Sequence, residues 1–254
     1  MAAGGSEFGI ERGFAVSRFP ILECGAPVFH LFVGRAVDGP GGTSASRRVL
    51  LPPPFSWDRV VRLRQVHGAR VLHLTRGRGG PPAGETEADG AVTDLPGLLL
   101  RVRVADCLPV YLVDPKGPVI GLVHAGWRGL AEGVLEEAVE RFREEGSPPE
   151  RLLAAVGPSI GPCCYEVGGE VAARLGSEAD PRPGPRGRPH VDLYRAASER
   201  LRSGGLAPEK IGARPACTSC RSDRLHSHRE SGGRAGRNEA WLGILPQAEA
   251  GKVR

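Results

Sequence analysis

Three short segments hold the residues best suited to chemistry: Arg64-Gln-Val-His-Gly68, Ala105-Asp-Cys-Leu-Pro109 and His124-Ala-Gly-Trp-Arg-Gly129. Each contributes one soft metal ligand, namely His67, Cys107 and His124. Two imidazoles and a thiolate suit zinc, with copper the other metal that so soft a set accepts. Three protein ligands leave a fourth position open for water or substrate, which is the pattern of a catalytic site rather than a scaffold. Singly, each residue has a plainer role: a structural histidine, or a buried and inert thiol. The three lie far apart in the chain, so their meeting is left to the fold.

Other segments could handle anions or a second metal. Arg128 falls between a strand and a helix N-terminus, where free backbone N–H groups and a guanidinium can take an anion. Its other reading is an arginine stacked on Trp127. Gly157-Pro-Ser-Ile-Gly-Pro-Cys-Cys-Tyr-Glu-Val-Gly168 is a second glycine-rich loop after a strand, and it lacks the Gly-Lys-Ser/Thr ending of a nucleotide P-loop. Cys217-Thr-Ser-Cys220 followed by His226 and His228 resembles a small structural zinc site, although its histidines are closer together than in zinc fingers. The plainer reading is a turn-rich tail whose histidines and Arg229 face a pocket. Zinc cytidine-type deaminases carry Pro-Cys-x-x-Cys, whereas Ala216 precedes Cys217 here. A true multicopper oxidase needs many His-x-His pairs. This chain has seven histidines and a single such pair, His226/His228.

Composition bounds the setting. With 254 residues, 40% hydrophobic and 25% charged, the chain can bury a substantial core as one domain over residues 1–254. The net charge is +5, and only Lys116, Lys210 and Lys252 among the 34 basic residues are not arginine. Arginine forks suit phosphate and carboxylate. No dense basic run is interleaved with aromatics, so nucleic acid is not the expected partner. No apolar stretch follows a basic start, which argues against a signal peptide. The longest apolar stretch, residues 95–113, is broken by Arg101, Arg103 and Asp106, so no membrane span is expected. The six cysteines then read as free thiols or metal ligands in a reducing cytoplasm.

The elements that must position these residues are legible in part. The first 20 residues read as an irregular arm, and residues 28–33, 60–63 and 71–74 as strands. Residues 77–84 and 182–189 are Gly/Pro/Arg-rich and read as loops. Strands are expected at 98–104, 110–113 and 119–123. Leu130, Val134, Leu135, Ala138, Val139 and Phe142 recur at helical spacing, ended by Gly146 and Pro148. A strand over 152–156 follows. Asp192 can cap a helix running to about Arg202, stopped by Gly204 and Gly205. An α+β single domain with mixed β-sheets flanked by helices is the resulting expectation.

Together, Gln65-Val-His-Gly68, Ala105-Asp-Cys-Leu-Pro-Val110, His124-Ala-Gly-Trp-Arg-Gly129, Gly157-Pro-Ser-Ile-Gly161 and Cys163-Cys-Tyr-Glu-Val167 resemble the YfiH family of laccase-domain proteins, long labelled multicopper polyphenol oxidases. The resemblance runs in order from about residue 60 to the C-terminus. It implies that His67, Cys107 and His124 ligate the metal. It also implies purine nucleoside chemistry: phosphorolysis of adenosine, inosine, guanosine or methylthioadenosine, and hydrolytic deamination of adenosine. Purine nucleosides and phosphate would then be the partners of a cytoplasmic monomer. Gln65, Arg128 and Arg229 are candidates for substrate binding, and Asp106 or Glu166 for carrying the proton. A zinc ion there would bring bound water towards neutral pKa. The sequence departs from the family twice: residues 28–51 are shortened and lack its Asn-rich motifs, and its Ser-x-Arg-Arg appears as Ser227-His-Arg-Glu230. Three other readings stay open. They are copper-dependent phenol oxidation, a cysteine hydrolase using Cys107 with His124 as base, and a zinc-stabilised binding module.

Overall fold

A computed structural model describes residues 9–11, 13–23, 25–36, 53–78, 84–212 and 216–246. Its strands are β1 (Gly9–Glu11), β2 (Phe14–Ser17), β3 (Val28–Ala36), β4 (Val60–Val61), β5 (Leu63–Arg64), β6 (Val71–Leu74), β7 (Thr86–Glu87) and β8 (Gly90–Thr93). They continue with β9 (Leu99–Val104), β10 (Leu108–Asp114), β11 (Val119–Ala125), β12 (Leu153–Val156), β13 (Arg182–Pro183), β14 (Pro189–His190), β15 (Ile211–Gly212) and β16 (Asn238–Ile244). The helices are α1 (Trp127–Glu132), α2 (Val134–Glu144), α3 (Gly169–Leu175) and α4 (Leu193–Ser203).

One six-stranded sheet runs β1-β2-β3-β16-β9-β4 and a second runs β15-β12-β10-β11-β8-β6. Both are mixed, with parallel pairs at β4/β9, β12/β15 and β6/β8 and antiparallel pairing elsewhere. The sheets pack face to face. Phe32, Leu100, Val102, Val104 and Leu242 of the first meet Tyr111, Val113, Ile120, Leu122 and Leu72 of the second. On the far side of the second sheet, Val110, Leu112, Val123 and Val156 pack under Leu135, Ala138, Phe142, Ala197 and Leu201 of the helices. Both faces of β10 and β11 are therefore covered and every residue in them is buried, which explains their near-continuous apolar sequence. Burying side chains of this size is worth about 1.5–3 kcal/mol each, and that is what fixes the register of the central hairpin. On the outer face of the first sheet, Phe14, Leu31, Phe55 and Trp241 form a third cluster.

The α+β architecture with mixed sheets matches the sequence reading, with the helices on one face of the second sheet. Three local expectations differ. The N-terminal arm is not irregular throughout, because β1 and β2 extend the first sheet, pairing with each other and then with β3. Residues 1–8 lie outside the described residues. The helical pattern of 130–142 belongs to two helices, since Gly133 adopts φ +88° and is both the end of α1 and the start of α2. Within 182–189, Arg182 and Pro183 pair with His190 and Pro189 as a short hairpin. The loop expected at 77–84 and the shortened region 28–51 fall partly outside the described residues. Asp192 caps α4 as expected, its carboxylate accepting the Arg195 N–H at 3.1 Å. Among the described residues, no helix is long and apolar enough to cross a membrane.

Candidate active site

The register of the second sheet brings the three ligands together. β10 and β11 pair so that Leu108 faces Ala125 and Pro109 faces His124, which sets Cys107, one residue before β10, beside the end of β11. On the other side of β11, Val123 faces Gly90 of β8, so Asp89 lies next to His124. β6 runs parallel to β8 with Val71 opposite Gly90, and the segment just before it carries His67. The ligand atoms of His67, Cys107 and His124 all lie within 4.8 Å of one another. The two imidazole rings meet edge to face, 4.8 Å between centroids at 79°. His124 is buried, Cys107 half-buried and His67 exposed, so the trio opens to solvent on the His67 side.

Asp89 organises this arrangement. Its fully buried carboxylate accepts N–H bonds from Val66 at 3.2 Å, His67 at 2.9 Å and Gly68 at 2.8 Å, and from His124 Nδ1 at 2.8 Å. The three backbone bonds hold His67 in the left-handed region at φ +63°, a conformation a non-glycine residue keeps only when its surroundings impose it. The fourth bond fixes the orientation of the His124 ring, so that Nδ1 is held by Asp89 and Nε2 is the nitrogen left for the Cys107 sulfur or a metal. Burial pushes the Asp89 carboxyl up, but the bonds from His124 and Gly68 outweigh it and hold the group below its usual range. Burial also pushes the Cys107 thiol up, yet the His124 and His67 imidazoles bring it down to about 6. His124 is lowered by burial and then raised, by the Cys107 sulfur and the Asp89 carboxylate, to about 9. The trio thus presents a thiolate, the form in which cysteine binds metal or attacks carbon.

Around the trio lies a cavity of about 690 Å³. Five arginines line it, Arg64, Arg103, Arg128, Arg229 and Arg237, along with the rings of Trp127 and Tyr165. A smaller cavity of about 310 Å³ near Asp180 and Arg195 contains none of the three ligands. Arg128 lines the larger cavity while stacked on Trp127, 4.5 Å from the ring centroid. Arg229 is stationed over Tyr165 at 5.3 Å and donates to the Glu166 carbonyl at 2.8 Å. Gln65 lines the cavity, and its amide forms two 2.8 Å bonds with the Arg103 backbone, an extra rung that anchors the His67 segment to β9.

The two proton-carrier candidates are placed differently from each other. Asp106, at φ +91°, lines the cavity, but its oxygens already accept from Thr218 Oγ1 at 2.5 Å and from the Arg229 backbone N–H at 2.7 Å. Glu166 is not brought to the trio. Its bridge with His190 turns the carboxylate towards His190 and Arg186, 3.8 and 3.5 Å away, and only its carbonyl serves the cavity, through Arg229. His228 and Arg229 line the cavity, as the plainer reading of the tail had it, but His226 is not among the lining residues, and Cys217 and Cys220 meet Cys163 and Cys164 instead of His226 and His228. Sequence reasoning missed Asp89, Tyr165, Thr218 and the arginines Arg64, Arg103 and Arg237. A single acid between Ala88 and an apolar strand was the one signal available for Asp89.

Against this geometry, residues 38–244 match the family model described as multi-copper polyphenol oxidoreductase laccase. The chain belongs to that laccase-domain family. It is 32% identical over 256 residues to a Geobacillus stearothermophilus protein named purine nucleoside phosphorylase YlmD, covering 87% of this chain and 93% of the relative. It is 42% identical over 193 residues to a Xylella fastidiosa protein named purine nucleoside phosphorylase, covering 71% of each. The crystal structure of YlmD from Geobacillus stearothermophilus superposes with a TM-score of 0.82 at 30% identity, over 94% of this chain and 99% of that one.

Proposed function

We propose that this chain is a purine nucleoside phosphorylase acting in the cavity around His67, Cys107 and His124. The observation that carries the reading is the pairing of that trio with five arginines and two aromatic rings in one 690 Å³ space, large enough for a nucleoside and an anion together. Relatives that carry the phosphorylase name support it.

In this reaction a phosphate oxygen bonds to C1′ as the bond from C1′ to purine N9 breaks. The products are ribose 1-phosphate and the free base, which takes up a proton. Arg128 and Arg229 hold the phosphate, and guanidinium forks suit it geometrically. Tyr165 keeps its proton, because burial pushes its hydroxyl well above the ordinary value, and so remains a donor for the departing purine. Asp106 is a positioning residue that ties Thr218 and Arg229 to the loop carrying Cys107. The donor set fits a soft cation, with a thiolate, an exposed imidazole and a second imidazole whose orientation Asp89 fixes. His67, Cys107 and His124 would hold zinc, or copper in its place, and the ion supplies Lewis acidity there when bound.

Adenosine, inosine, guanosine and methylthioadenosine are the proposed substrates, and adenosine is also proposed to lose its amino group by hydrolysis. Release of hypoxanthine from inosine should require phosphate and should vanish in Cys107→Ala. Undiminished turnover in that variant would sink the reading. The thiolate at Cys107 beside His124 also favours a second reading, a cysteine hydrolase. Covalent trapping of Cys107 in metal-free protein would support it. Copper oxidation finds less support, because the described residues form one mixed His/Cys group and one all-cysteine group, with no histidine cluster for further coppers.

A further inference from the structure

The all-cysteine group is separate from the His67, Cys107 and His124 trio; the proposed reaction does not use it, and the sequence reading pairs Cys217 and Cys220 with His226 and His228 rather than with Cys163 and Cys164. Cys163 and Cys164 sit in the turn after Gly161, and Cys217 and Cys220 in the turn that opens the tail. Their four sulfurs all lie within 4.8 Å of one another. Cys220 Sγ is 3.5 Å from Cys163 Sγ and 3.4 Å from Cys164 Sγ, so it does not select one of them as a partner. Chain geometry imposes the meeting. Ser159 bridges Cys217 in parallel, the Thr218 N–H donates to the Ser159 carbonyl at 2.9 Å, and the Gly161 N–H donates to Cys217 Sγ at 3.2 Å.

We propose that Cys163, Cys164, Cys217 and Cys220 form a closed, tetrahedral zinc site that staples the C-terminal tail to the loop after β12. A tetrahedron of thiolates with Zn–S bonds of about 2.3 Å sets neighbouring sulfurs about 3.8 Å apart, close to the separations here. Two disulfides would instead sort the sulfurs into pairs at about 2.05 Å. Cys217-Thr-Ser-Cys220 has the Cys-x2-Cys spacing common in structural zinc sites, and an N–H bond to sulfur, such as the one from Gly161, stabilises a thiolate ligand. Four thiolates fill the coordination shell, so the ion is structural and leaves no position for substrate.

The tail has a reason to need this staple. Residues 216–237 contain turns and one bridge but no helix or ladder strand, and Leu225 is the one residue among them in the buried core clusters. Yet this segment delivers His228, Arg229 and Arg237 to the cavity. Thr218, between the two cysteines of the tail, is fully buried and donates to Asp106, the neighbour of Cys107. The zinc site is thus one residue away from a side chain that grips the catalytic loop.

The test is metal analysis of Cys107→Ala protein purified without added metal, which separates this site from the trio. One zinc per chain is expected, with a zinc-edge X-ray absorption spectrum showing sulfur ligands only, at about 2.3 Å. Adding Cys217→Ser and Cys220→Ser should reduce zinc to below a tenth per chain. If those variants do not fold, the absorption spectrum of Cys107→Ala still decides. Zinc-free Cys107→Ala protein, iron in place of zinc, or disulfides among the four cysteines on non-reducing peptide mapping would overturn the proposal. None of these outcomes depends on nucleoside turnover, so failure of the phosphorylase reading leaves the staple intact and the reverse also holds.

Discussion

Asp89 Oδ1 accepts both the ring N–H of His124 and the backbone N–H of His67, so a single carboxylate sets the orientation of two of the three candidate ligands. It does so from complete burial, where an unpaired charge would be costly, and all its bonds come from the site. Aligning an imidazole by hydrogen-bonding its far nitrogen is the usual way a protein tunes a histidine ligand.

Asp89→Asn tests that role. The asparagine keeps the shape, but its NH₂ group takes the place of an oxygen that accepts two N–H bonds and so faces both donors. Zinc affinity is expected to fall by about 10–100-fold. Competition against a chromophoric chelator measures this directly, and unchanged affinity would show that the trio is set without Asp89. Hydrogen exchange at Val66, His67 and Gly68 should speed up in the same variant, because their shared acceptor is weakened.

Gly126→Ala tests how tightly the trio is built. Gly126 has φ −82°, so alanine fits the backbone. Its methyl carbon, however, would stand 3.0 Å from Cys107 Sγ and 3.2 Å from His67 Cδ2. Two ligands must move by a few tenths of an ångström, and metal geometry tolerates about 0.2 Å. The variant should fold with an unchanged circular dichroism spectrum and retain less than half of the wild-type metal at this site. Full metal content would mean that the ligands are looser than the packing indicates.

Much of this frame is legible in the chain. The hairpin of β10 and β11 announces itself because strands buried on both faces are uniformly apolar, and the Cys107 and His124 segments stand at its ends. What escapes is what depends on contacts between distant segments. The apolar spacing of 130–142 runs straight through Gly133, whose φ of +88° alone divides the helix. The strands near the N-terminus are β-structure only because β3 offers them an edge. Cys217 and Cys220 look for their partners in the nearby histidines, whereas the Ser159–Cys217 bridge gives them Cys163 and Cys164 from more than fifty residues away. Glu166 is adjacent in sequence to a cavity residue, Tyr165, but its side chain faces the other way.

The two arginines assigned to phosphate should be separable from the purine contacts. A hydrogen bond to a charged group contributes about 1.5–3 kcal/mol, so Arg128→Ala or Arg229→Ala should lower kcat/KM for phosphate by about 10–100-fold. The dissociation constant for nucleoside without phosphate should change little. Arg229→Lys should rescue only in part, because a lysine cannot both reach the Glu166 carbonyl and present a fork to the anion. A loss confined to nucleoside affinity would move these residues to the purine end of the cavity.

His30, on β3 and remote from the trio, gives the protein a defined acid sensitivity. Its Nε2 accepts the Phe19 N–H at 3.0 Å, and the side chain is 6% exposed. Protonation would remove that acceptor and place a charge in the core. Burial, reinforced by the Arg18 guanidinium, therefore brings its pKa from 6.5 down to about 4. The unfolded chain binds the proton more readily than the folded one, so stability falls as pH falls. The contribution is fully present above about pH 6.5 and is lost progressively towards pH 4. A shift of that size corresponds to about 3 kcal/mol across the window. His30→Gln keeps an acceptor but cannot titrate. Denaturant unfolding at pH 7 and pH 4.5 should show wild type losing more stability than the variant over this interval. Carboxylates that titrate in the same range act on both proteins alike and cancel in the comparison. Equal losses would show that His30 is already free to take up a proton in the folded chain.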